Sequence, residues 1–266
     1  MARLLVVAAL VLLAVACGED KPTEDDAATL KVMLSTSANV QRAVQPLYFC
    51  FPEDPECYRQ AGAEIVSVVA QARTATETVI AETDDACLRQ AATLYRDSLD
   101  AYGDAGRAAA AGDAAAADAA ILETTRLEIA YGEKIGECGF DEGKTAEYAS
   151  ALRESDVKIL RLSQELAACR AEACVLDVAA RMKAASAEAV AAVDSLLAVV
   201  TEDDEAPSCL PPALRELRGA YAAVEKTMQA LGAGNLATLE REGRRAGELQ
   251  VAAQEKMAAC ISSAGF

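Results

Sequence analysis

Histidine is absent from all 266 residues. That removes the commonest general base, the commonest metal ligand and the axial ligand of most haem proteins. Tryptophan is also absent, and aromatics make up only 4% of the chain. Basic residues are scarce, 25 against 42 acidic ones, for a net charge of −17. Nucleic acid and anionic lipid surfaces repel such a chain, so no nucleic-acid partner is expected. The nine cysteines contain no C-x-x-C pair of the kind a thiol redox enzyme uses. No Ser-His-Asp set, Gly-rich phosphate loop or nucleotide fingerprint occurs. We expect no catalytic residues, no cofactor, no metal site and no enzymatic activity.

Apolar residues, by contrast, reach 53%. Alanine dominates them, and alanine favours helices over strands. The fold class expected is all-α. An alanine core buries little area per side chain, so it needs close helix packing, length or covalent staples.

The N-terminus reads as an export signal. Arg3 supplies positive charge, and Leu4 to Leu13 form an apolar run too short to span a bilayer. Leu13-Ala14-Val15-Ala16-Cys17 follows. This segment resembles the lipobox of bacterial lipoproteins, with Ala14 where that family usually has leucine. Ala14-Val15-Ala16 also fits an ordinary A-x-A cleavage site. The resemblance implies a signal peptide over 1–16 and a diacylated, palmitate-bearing Cys17 as the mature N-terminus. Gly18, rather than the aspartate that retains many such lipoproteins at the inner membrane, points to the outer one. The expected location is a membrane-anchored exported lipoprotein facing the periplasm or cell surface. Residues 17–27 then form an acidic tether.

Removing Cys17 leaves an even set of eight cysteines, as an oxidising compartment favours. They fall into two sets, Cys50, Cys57, Cys87, Cys138 and Cys169, Cys174, Cys209, Cys260. Cys87 to Cys138 and Cys209 to Cys260 are equal steps. Aligned at that register, Leu88 meets Leu210, Arg96 meets Arg218 and Leu127 meets Leu249. Glu133-Lys134 meets Glu255-Lys256, and Gly112-Asp113 meets Gly234-Asn235. We read an internal duplication with one domain per copy, 28–140 and 144–266, joined at Gly139-Phe140-Asp141-Glu142-Gly143.

Each copy reads as an antiparallel four-helix bundle. Leu214, Leu217, Tyr221, Val224, Met228 and Leu231 repeat at 3-4 spacing, between Pro211-Pro212 and Gly234-Asn235. Leu30, Met33, Ser37, Val40, Val44 and Leu47 repeat likewise, and Pro46 is expected to end or kink that helix. The spacing predicts helices near 28–48, 58–82, 87–111 and 114–137, then 145–168, 174–201, 210–233 and 236–260. An up-down-up-down path puts Cys57 and Cys87 about 30 Å apart, at opposite ends of one helix. Disulfides need Cα atoms within about 7 Å. The pairs expected are Cys50–Cys57, Cys87–Cys138, Cys169–Cys174 and Cys209–Cys260.

Two features remain. The first hairpin tip, Pro46 to Tyr58, gathers Tyr48, Phe49, Phe51 and Tyr58. Those rings either plug the bundle end or offer a binding tip. Thr83-Asp84-Asp85 and Thr201-Glu202-Asp203-Asp204-Glu205 precede helices, where acidic residues serve as ordinary caps, and neither matches a calcium loop. The function expected is a lipid-anchored scaffold or protein-binding module of the cell envelope, with an envelope protein as partner. The alternative is a small-ligand sensor or carrier, with a cavity lined by Tyr95, Tyr102 or Tyr221.

Overall fold

A computed structural model describes residues 24–50, 54–138, 146–202 and 206–263. Eight helices and no strands occur among them. They are α1 (Glu24–Phe49), α2 (Pro55–Glu82), α3 (Ala86–Ala110), α4 (Ala114–Glu137), α5 (Ala146–Ala168), α6 (Glu172–Glu202), α7 (Leu210–Gly232) and α8 (Leu236–Ser263).

Short polar side chains set several starts. Asp54, Asp85 and Asp113 accept hydrogen bonds from the backbone N–H of Cys57, Leu88 and Ala116, satisfying donors that a helix leaves orphaned. Asn235 does the same for Thr238 at 3.0 Å. The matched turns close their helices alike. Gly112 has φ of 78° and Gly234 has φ of 67°, a backbone region that favours glycine. The N–H groups of Asp113 and Asn235 reach back to the carbonyls of Ala108 and Ala230, both at 2.9 Å.

Pro46 stands three residues before the end of its helix. It lies inside α1, which continues to Phe49. Pro46 is exposed and stands in the last turn, where the helix has few further hydrogen bonds to lose.

Each helix packs chiefly on its chain neighbours, and α8 returns to pack along α1. The order of contacts is therefore a closed ring. The main partners of α1 are α2 and α8, while those of α5 are α6 and α4, the α4–α5 seam being the thinner. One contiguous apolar cluster runs through all eight helices. Among the described residues, α6 alone is long and apolar enough to cross a membrane. Its Val178, Met182, Ala185, Ala189, Val193, Leu196 and Val200 are buried in this cluster.

Glycine permits the closest helix approach. A Cβ on Gly62 would lie 2.4 Å from the Ala110 nitrogen and 2.5 Å from the Gly106 oxygen. Those are backbone atoms, so α2 would have to back away from α3. Gly62→Ala is expected to lower stability by about 1–2 kcal/mol, because overpacking outweighs a helix-propensity gain of about 1 kcal/mol. Gly232→Ala meets nothing within 4 Å and serves as the control. Urea unfolding of both variants checks this.

Candidate functional site

The structure holds four disulfides: Cys50–Cys57, Cys87–Cys138, Cys169–Cys174 and Cys209–Cys260. Their Cα atoms lie 5.4 to 5.6 Å apart. These are the same pairs that an alternating helix path requires. None joins residues before 139 to residues after 145. No disulfide crosses the two seams that close the ring, α1–α8 and α4–α5.

The residues singled out from sequence are placed unevenly. Cys17, Phe51, the linker 139–143 and the acidic run Asp203-Asp204-Glu205 lie outside the described residues, as do the side chains of Tyr48 and Phe49. Tyr58 is buried, with 2% exposure, and belongs to the core cluster. Its ring is therefore not available as part of a binding tip. Asp85 caps α3, and Arg89 clamps the same loop through the carbonyls of Thr83 and Asp84.

The core tyrosines meet protein groups rather than open space. The Tyr102 hydroxyl donates to Glu128 Oε1 at 2.7 Å and accepts from Gln41 Nε2 at 3.1 Å. This links α1, α3 and α4. Tyr95 shares a 3.1 Å hydrogen bond with Thr36, and its ring packs against Tyr131 at 5.5 Å between centroids. In the second half the Tyr221 hydroxyl donates to Asp156 Oδ1, linking α7 to α5. Asp156 is wholly buried, and its Oδ2 has no hydrogen-bond partner among the described residues.

Burial dominates the chemistry of these acids. It pushes Glu128 up to about 7, against the smaller opposing effect of the Tyr102 hydrogen bond. It pushes Asp156 up to about 8, opposed in the same way by Tyr221. Desolvation also raises Tyr95, Tyr131 and Tyr221. At neutral pH the phenols and Asp156 are largely uncharged, while Glu128 stands near its midpoint and is largely protonated only below about pH 6.

Glu128 and Asp156 escaped notice in the sequence, yet a signal existed. Ala117, Ile121, Thr124, Glu128, Tyr131 and Ile135 repeat at 4-3-4-3-4 spacing along α4. Leu152, Asp156, Ile159, Ser163 and Leu166 repeat at 4-3-4-3 along α5. In each helix an acid sits on the core stripe, where a charge is rarely found.

A groove of about 700 Å³ opens between α4, α5 and α6. Two ion pairs close within its lining, Arg161 with Glu133 and Arg181 with Glu165, while Lys158 and Glu137 pair with Glu188 and Lys134 beside it. The Arg153 guanidinium lies against Gly136 of α4, and partial burial lowers its pKa. Exposed pairs of this kind contribute about 0–1 kcal/mol each. No group of three or more metal-ligating side chains occurs among the described residues.

No protein-family model matches the chain, and neither does any curated protein or solved structure.

Proposed function

We propose that the chain is a lipid-anchored, non-catalytic helical scaffold of the cell envelope that docks an envelope protein. The observation that carries the reading is cysteine use. All eight cysteines among the described residues are in disulfides, which is consistent with an extracellular or periplasmic protein. Cys17 is the ninth, and it stands where a lipobox-like segment would present it for acylation.

The scaffold is read as two duplicated four-helix units that face each other. Arg42 stands eight residues before Cys50, and Arg161 eight before Cys169. Glu133 stands five before Cys138, and Glu255 five before Cys260. Arg42 pairs with Glu255 and Arg161 with Glu133, so each unit offers its arginine to the other unit's glutamate. A duplicated gene whose copies pack as a pseudo-twofold dimer accounts for this exchange.

A surface-docking role fits a core whose tyrosines are engaged by Thr36, Glu128 and Asp156. The small-ligand alternative then rests on the groove between α4, α5 and α6.

The test is fractionation in the native cell together with photocrosslinking. Wild type is expected in the membrane fraction, released only by detergent, and Cys17→Ser in the soluble exported fraction. Photocrosslinkers at Leu122, Leu176 and Leu236, the exposed large apolar side chains among the described residues, are expected to yield a discrete protein adduct from at least one position. Wild type found soluble would contradict the anchor. Anchored protein with no adduct from any site would favour the ligand reading.

A further inference from the structure

We propose that Glu128–Tyr102 and Asp156–Tyr221 form a pair of proton-held latches, one in each half of the ring, that tie helices together while the carboxyl keeps its proton and loosen when alkaline pH removes it.

Glu128 of α4 is bonded to Tyr102 of α3, whose hydroxyl also takes Gln41 of α1, and it acts on Tyr95 of α3 and Tyr131 of its own helix. None of these is a cation, and no charged group of α5 acts on it. Asp156 of α5 faces Tyr221 of α7, and no charged group of α4 or α6 acts on it. Arg153, one turn earlier on α5, points into the groove beside Gly136.

A buried carboxylate with no cation and few donors is costly, so the group keeps its proton instead. Neutral, it is a carboxylic acid hydrogen-bonded to a phenol. Ionised, it is an uncompensated charge in an apolar core, and Asp156 then has Oδ2 unsolvated. The proton released passes to water or hydroxide. Ionisation strengthens the phenol's own hydrogen bond but leaves the rest of the charge unsolvated, so the balance shifts toward letting water into the core beside α4 and α5.

Both acids ionise well above their ordinary values of 4.5 and 3.8, at about 7 and about 8. Near pH 6 the folded chain holds two protons that the unfolded chain has released. Raising the pH through that window therefore favours unfolding. The contribution is full below about pH 4, declines as pH climbs, and is gone above about pH 8.

The experiment counts protons released on unfolding at pH 6, in weak buffer, for wild type, Glu128→Gln, Asp156→Asn and the double variant. Wild type is expected to release about one proton more than either single variant and about two more than the double. Its unfolding constant is expected to climb about a hundredfold faster per pH unit near pH 6 than that of the double variant. Infrared spectroscopy of the wild type is read alongside, so that a variant that fails to fold does not remove the test. A protonated carboxyl stretch at pH 6, lost by pH 9, supports the latches. Equal proton counts, or no protonated carboxyl in the folded wild type at pH 6, would overturn them.

Discussion

Replacing Cys87 and Cys138 together with serine is expected to lower stability by about 4 kcal/mol, and so is replacing Cys209 and Cys260. Each bond closes a separation of 51 residues, so each removes much of the unfolded chain's freedom. Cys169–Cys174 spans only 5, and losing it is expected to cost about 2 kcal/mol in the same chain-entropy account. The long bonds tie the start of α3 to the end of α4, and the start of α7 to the end of α8. They act where the core is thin. Ala91, Ala92, Ala105, Ala109, Ala213 and Ala220 are fully buried, yet each removes little apolar area from water. Denaturant unfolding of the two double-serine variants, beside a Cys169/Cys174 control, checks the ranking. Equal losses for long and short bonds would show that unfolded-state entropy is not the main contribution.

Tyr58→Ala is expected to lower stability by about 3–5 kcal/mol, the range for emptying a large aromatic from a core. Tyr58 lies in the first turns of α2, beside the Cys50–Cys57 bond, and its ring is buried with Ile65, Leu47 and Val44 in one cluster. A loss of partner binding in this variant would therefore report unfolding unless stability were measured as well. Thermal unfolding followed by circular dichroism gives the check. A melting temperature unchanged from wild type would mean that the ring is dispensable to the core.

How far the sequence spoke varies along the chain. Helix positions were legible because stripes such as Leu214 to Leu231 are long, strictly periodic and bounded by proline and glycine. The Gly112 and Gly234 turns were legible because each needs a left-handed residue at a helix end. Pro46 marked the end of α1 to within a turn, since a proline in a final turn sacrifices little and the helix stops at Phe49. The tip aromatics looked like one group in sequence, but helical geometry turns Tyr58 inward from the start of α2. Glu128 and Asp156 were hidden by their charge: an acid at a core position reads as a break in the stripe unless its neutral form is considered. The return of α8 to α1 was not legible at all. Periodicity shows that a helix has an apolar face and leaves open which distant helix covers it. The exchanged pairs, Arg42 with Glu255 and Arg161 with Glu133, show that choice, as do the hydrogen bonds of Gln45 to the Arg244 carbonyl and of Gln254 to Ser37.

The most direct test of the anchored, disulfide-stapled account is a non-reducing peptide map by mass spectrometry, on protein extracted in detergent from its native membrane. The account predicts a Cys17 peptide carrying a diacylglycerol mass, together with the four bonds Cys50–Cys57, Cys87–Cys138, Cys169–Cys174 and Cys209–Cys260. An unmodified Cys17 in the mature chain, or a bond from Cys57 to Cys87, would contradict it.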